Sequence, residues 1–186
     1  MSTKTTVLFF LTGILTASEL LAQRNANLPK ITNGKSNAAS VGIDIPVGEF
    51  SQTHFAGITL GYSWSHHRFG VVAPKKPIGF TANGGIGCYF GKRSLIAGYE
   101  YRYSNYIFLH AFGGALFNPG KKGYIALTTG VAAGIYKEAV HPGLGAKLGA
   151  GYLLTGMISL AGSFSFLKYK DASGLCSAGI RVEYSF

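Results

Sequence analysis

The stretch Leu175–Phe186, LCSAGIRVEYSF, decides how the rest of the chain reads. Ala178, Ile180, Val182, Tyr184 and Phe186 fall on one face of an extended chain, and Ser177, Gly179, Arg181, Glu183 and Ser185 on the other. Apolar residues at every second position predict a β-strand with one dry and one polar face. In a water-soluble sandwich the dry face would be covered by a second sheet. Here it continues to a terminal aromatic with no polar tail, which points to lipid.

The same period recurs upstream. Val41, Ile43, Ile45 and Val47 alternate with Ser40, Gly42, Asp44 and Pro46; Ala56, Ile58, Leu60, Tyr62 and Trp64 alternate with Gly57, Thr59, Gly61, Ser63 and Ser65. Ile78–Phe90 reads as a long strand. Leu95, Ala97, Tyr99, Tyr101 and Tyr103 alternate with Ile96, Gly98, Glu100 and Arg102, and the run is split at Ser104 and Asn105 because a transmembrane strand needs only about 9–11 residues. Tyr106–Phe117 does not phase: Tyr106, Phe108 and Phe112 compete with Ile107, Leu109 and Phe117 for the outward face. Ile125–Ile135, Leu144–Tyr152 and Ile158–Phe166 complete the set, with loops at Lys137–Pro142 and Lys168–Gly174. Counting a short Arg68–Ala73 piece gives ten strands and dropping it gives nine; ten is favoured, with eight if that piece is dropped and the split at Ser104 is also wrong. An even number is expected if both ends lie on one side of a membrane.

Composition agrees with this reading. Charged residues are 13%, against about 25% in ordinary soluble domains, and 27 residues are Gly. Small residues suit a narrow interior and aromatics suit membrane interfaces. A helical membrane protein is the rival, since Leu148–Leu167 carries no charge. Against it stand Gly149, Gly151, Gly156 and Gly162 and the period-two ladder Ser159, Ser163, Ser165. Met1–Ala22 reads as a secretory signal peptide, with Lys4 before an apolar run from Val7 to Leu15 that is too short to span a bilayer as a helix. Gln23–Ala38 is polar and without period, a flexible lead-in to a barrel domain over Ala39–Phe186. Cys88 and Cys176 fall in phase with apolar residues on strands that are not expected to be neighbours, so a disulfide is not expected.

These features together resemble the small Gram-negative outer-membrane β-barrel proteins. The closing strand with Val182, Tyr184 and Phe186 is similar to their C-terminal insertion signature, and Pro46-Val47-Gly48-Glu49-Phe50 is similar to the first-loop turn of many members. The resemblance implies an all-β, transmembrane, antiparallel up-and-down barrel of about eight to ten strands in the outer membrane. It also implies a monomer inserted by the barrel-assembly machinery, with lipopolysaccharide and phospholipid as neighbours. It names no ligand.

The charges inside strands carry the functional expectation. Asp44, Glu100, Arg102, Lys147, Arg181 and Glu183 all fall opposite the aliphatic rows. A basic residue facing lipid at mid-membrane costs about 2–4 kcal/mol, so a barrel must place them inside. Three are acidic and three basic. A barrel of this size is narrow enough for side chains to fill, which predicts a lumen charge network that plugs it; a thin water column lined by the same residues is the competing reading. The remaining basic excess of a chain with net charge +10 sits in turns, as in Lys75-Lys76, Lys92-Arg93, Lys121-Lys122 and Lys168 with Lys170, where lipid phosphates are the acidic partners at hand. No sheet or helix face collects basic and stacking residues as nucleic-acid binding requires.

For chemistry the candidates are His54, His66, His67, His110 and His141. Ser65 and His66 are adjacent on a strand and point to opposite faces, so they do not form a nucleophile and base. No second pair accompanies His66-His67 at metal-ligand spacing. No cofactor, metal or catalytic residue is expected. The reading is a non-enzymatic envelope barrel with a structural or surface-interaction role; the alternatives are a porin-like small-solute channel and a lipid-modifying enzyme.

Overall fold

A computed structural model of the chain describes residues 35–66, 78–96, 98–119, 122–155, 157–170 and 174–186. The signal segment, most of the lead-in and the Arg68–Ala73 piece lie outside the described residues.

Eight strands close a barrel: β1 (Lys35–Val47), β2 (His54–His66), β3 (Ile78–Gly91), β6 (Tyr106–Phe117), β7 (Gly123–Tyr136), β8 (Ala139–Leu153), β9 (Ile158–Tyr169) and β10 (Leu175–Ser185). The order around the wall is β1-β10-β9-β8-β7-β6-β3-β2, every neighbour antiparallel. Consecutive barrel strands are joined as hairpins, and β10 returns to β1 through Val41↔Val182 and Ile43↔Ile180. Closure removes both sheet edges, so no ladder group is left to seek a foreign strand. Strands of 11–15 residues are long enough to cross a bilayer when tilted.

Three expectations change. The lead-in ends earlier than Ala38, because β1 starts at Lys35 and pairs Ser36 with Ser65. The single strand expected over Leu95–Tyr103 is instead two short ones outside the wall: β4 (Arg93–Ile96) and β5 (Tyr99–Arg102) form a separate two-stranded hairpin between β3 and β6. Gly98, at φ 84, sits in the left-handed region that L side chains avoid and turns the chain back. Four residues a side cannot span a membrane. Likewise the loop expected over Lys137–Pro142 contracts to Lys137 and Glu138, both at positive φ, and the strand resumes at Ala139. Two consecutive residues at positive φ match the twist of a tight hairpin.

The outward face is apolar around the whole wall. Ile43, Ile58, Leu60, Ile86, Leu127, Val131, Leu144, Leu148, Phe164, Ile180 and Val182 are all exposed. A continuous apolar belt of this kind far exceeds the few hundred Å² a soluble protein shows to water, and it fits acyl chains. Near the end where β1 begins and β10 finishes, the two termini of the wall, the belt is edged by rings: Tyr62 and Tyr184 each lie 6.3 Å from Phe186, and Trp64 lies 6.2 Å from Phe80. Amphipathic rings belong at such an interface. Cys88 and Cys176 are free thiols on β3 and β10, which are not neighbours in the wall.

Candidate functional site

The inside of the barrel is built from inward residues that alternate with this belt. β6, the strand that could not be phased, turns Tyr106, Phe108 and Phe112 inward, where they are buried, and leaves Ile107, Leu109 and Phe117 exposed. The rings win the interior because small residues stand opposite them. Phe108 pairs across the wall with Gly87 on one side and Gly134 on the other. A Cβ on Gly87 would collide with the Phe108 ring, one on Gly57 with Tyr89, one on Gly145 with Phe112 and Leu167, and one on Gly151 with Tyr124. Inward glycines are therefore sockets for rings from neighbouring strands. Tyr89, Tyr106, Phe108, Phe112, Ala132, Leu167, Tyr169 and Leu175 form one buried cluster toward the end away from the termini. Leu116, Tyr124 and Ala161 form a second toward the terminal end.

Four of the six expected lumen charges lie between these clusters. Asp44, Lys147, Arg181 and Glu183 line one internal cavity of about 70 Å³, together with Thr59, Ser63, Thr128 and Ser163. Glu183 accepts hydrogen bonds from the Tyr124 hydroxyl at 2.8 Å and from Ser159 Oγ at 3.0 Å. The Arg181 guanidinium donates to Ser163 Oγ. Asp44 packs into the space above Gly179, which a Cβ there would occupy. Hydroxyls continue the polar layer, with Ser65 and Thr81 2.9 Å apart. Glu100 and Arg102 are not among them. Both lie exposed on the β4–β5 hairpin, and Glu100 accepts from Arg93 at 3.3 Å in a solvent-exposed ion pair. The hairpin has the same period two as a membrane strand, but it is not in the wall, and its register sets Glu100 across from Leu95 and Arg102 across from Arg93, so these charges do not stand opposite the aliphatic row as expected.

Sequence reasoning gave the lumen its charges and missed its rings and the second cavity. At the end opposite the termini a cavity of about 540 Å³ is lined by Glu49, Phe50, Gln52, Thr53, His54, Tyr103, Tyr106, Tyr136, His141, Tyr169, Gly174 and Leu175. Its seating comes from the Pro46–Phe50 turn. Gly48, at φ 68, reverses the chain into α1 (Phe50–Thr53), and its carbonyl accepts from Ser51 N at 3.1 Å. Phe50 then folds inward, stacking on His54 at 4.4 Å and meeting Tyr89 edge-on at 5.0 Å and Tyr106 at 5.6 Å. Tyr106 lies 6.0 Å from Tyr169 and 6.5 Å from Tyr136. Beside the cavity, Lys137 places its ammonium 5.6 Å from the Tyr136 ring centroid and 5.7 Å from that of Tyr101, and donates to the Tyr101 hydroxyl at 3.0 Å. That hydrogen bond holds Lys137 protonated above the usual lysine range.

The histidines are dispersed. His54 Nε2 lies 3.1 Å from the Ser104 carbonyl and Nδ1 2.8 Å from Thr53 Oγ1, while the Thr53 hydroxyl also has the Phe50 carbonyl within 3.2 Å, the pattern of a local turn. His110 is in the lumen between Phe108 and Phe112. His141 lines the second cavity, His66 ends β2, and His67 lies outside the described residues. No group of three His, Cys, Asp or Glu suited to a metal occurs among the described residues.

No protein-family model and no curated protein matches the sequence. Solved structures do match. The attachment invasion locus protein Ail of Yersinia pestis aligns with TM-score 0.56 at 10% identity, covering 83% of this chain and 100% of that one. A major outer membrane protein of Thermus thermophilus aligns with TM-score 0.54 at 12% identity, covering 82% and 99%. Neisserial surface protein A aligns with TM-score 0.51 at 10% identity, covering 82% and 96%. Such low identities speak to fold alone. Eight antiparallel strands, a closed β1–β10 seam, an apolar exterior and these structural neighbours give the chain the fold of the small outer-membrane β-barrels.

Proposed function

We propose that the protein is a non-enzymatic barrel of the outer membrane, with a plugged lumen and a structural or surface-interaction role. The observation that carries this reading is the filled interior: two buried aromatic and aliphatic clusters with a charged polar layer between them. A porin keeps a continuous aqueous channel, whereas an eight-stranded wall leaves room only for side chains. Here rings occupy that room, seated on glycines. Asp44, Lys147, Arg181 and Glu183 make the central layer self-neutralising, so it holds charge in a low-dielectric setting without needing bulk water.

In this reading the termini face the periplasm, and the end bearing the second cavity and the β4–β5 hairpin faces outward. Val182, Tyr184 and Phe186 present the signal read by the barrel-assembly machinery. Acyl chains cover the belt, and lipid phosphates meet the basic turn residues. A lipid-modifying activity lacks support, since His54 is engaged with a turn hydroxyl and a backbone carbonyl.

The test is single-channel conductance in a planar bilayer, on refolded protein whose unboiled gel band shifts as a folded barrel should. A silent bilayer is expected. Stable stepwise conductance would make the polar layer a pore lining and favour the channel reading.

A further inference from the structure

We propose that the 540 Å³ cavity at the end opposite the termini binds an organic cation, of the alkylammonium or quaternary ammonium class. Four observations converge on it. The walls are aromatic: Phe50, Tyr103, Tyr106, Tyr136 and Tyr169 all line it. The faces of such rings carry negative electrostatic potential, and several rings around one space form the cage that holds ammonium ions. Among the described residues the lining contains one carboxylate, Glu49, exposed at the rim, and no Lys or Arg, although the chain has 17 basic residues against 7 acidic ones. Basic groups around it are turned to other partners, Lys92 to the Ser51 carbonyl, Arg93 to Glu100 and Lys137 to the Tyr101 hydroxyl. An anion would therefore find no charged donor in the walls, while a cation finds rings and a carboxylate.

The third observation is that a cation already uses one of these rings. The Lys137 ammonium sits 5.6 Å from the Tyr136 centroid, so this ring acts as a cation acceptor within the molecule. The fourth is preorganisation. Tyr106 and Tyr169 are buried, Phe50 is locked by its contacts with His54 and Tyr89, and the cavity size is that of ordinary small-molecule sites. Little ordering remains to oppose binding.

Desolvation sets the specificity. A quaternary ammonium sheds its weakly held water easily and needs no hydrogen-bond acceptor in a cage of rings, whereas a primary ammonium would rely more on Glu49. The affinity for either is independent of whether the lumen conducts.

Isothermal titration on the full-length protein in a nonionic detergent without choline headgroups tests the assignment, with choline as ligand and 3,3-dimethylbutan-1-ol as its uncharged isostere. Choline should bind about tenfold more tightly than the isostere. Glu49→Gln and Tyr136→Leu, both at partly or fully exposed positions, should each weaken choline binding about three- to tenfold. Lys137→Met should leave it unchanged or tighten it, because it removes a competing cation. A parallel titration with phosphocholine separates sources: preference for choline indicates a soluble amine, and preference for phosphocholine a lipid headgroup. Equal affinity for choline and its isostere, no choline binding in the millimolar range, or indifference to both Glu49→Gln and Tyr136→Leu would overturn the proposal. The unboiled gel shift confirms that each variant is folded.

Discussion

At the scale of single residues, the interior is governed by complementarity of size across strands. Phe108 fits because Gly87 leaves room for it, Tyr106 because Gly134 does, and Tyr124 because Gly151 does. Gly87→Leu should therefore destabilise the barrel by about 1–3 kcal/mol through overpacking against Phe108 and Thr59. A lowered urea midpoint for unfolding from vesicles would show it; an unchanged midpoint would mean that the Phe108 ring moves aside freely. Glu183 is a buried carboxylate whose position depends on donors. Tyr124→Phe removes the hydroxyl at 2.8 Å and should cost about 1.5–3 kcal/mol, as loss of a hydrogen bond to a charged group does. The same urea midpoint reports it, and Ser159→Ala should act in the same direction. None of these pairings is visible in the sequence, because Gly87 and Phe108 are joined only by register.

At the scale of elements, alternation was sufficient for β1, β2, β7, β8, β9 and β10, where an aliphatic row stands against small and polar residues. It failed in two instructive places. In β6 both rows are apolar, since one lies on the exposed belt and the other in the buried aromatic cluster, and period two loses its contrast. In β4 and β5 the contrast is present without the membrane. A hairpin that folds back on itself at Gly98 alternates like a spanning strand, and only its four-residue length and its separate sheet tell them apart. That hairpin carries Glu100 and Arg102 outside the wall. Replacing residues 93–102 by a short Gly-Ser turn should keep the unboiled gel shift and move the urea midpoint by less than about 1 kcal/mol, because an exposed ion pair contributes little. Loss of the folded band would instead assign the hairpin a part in holding β3 against β6.

At the scale of the whole molecule, a closed wall separates two solvents. The exposed aliphatic belt suits lipid, and the interior is left to rings, charges and a small cavity. In the plugged barrel proposed above, the rings are the barrier to flow. Removing two of them together, Phe108→Ala with Phe112→Ala, should convert a silent barrel into one with measurable conductance while the belt and the β1–β10 seam keep it folded. A double variant that stays folded and silent would move the barrier to the charged layer around Lys147 and Arg181. The class of fold and the inward side of Asp44, Lys147, Arg181 and Glu183 follow from the sequence alone. Period two and the cost of a charge in lipid are local rules, and each strand states them independently. The number of strands in the wall, the exclusion of Glu100 and Arg102, the ring-on-glycine plug and the aromatic cavity were decided by tertiary structure. These depend on which strand lies beside which and in what register, and that is set only when the barrel closes.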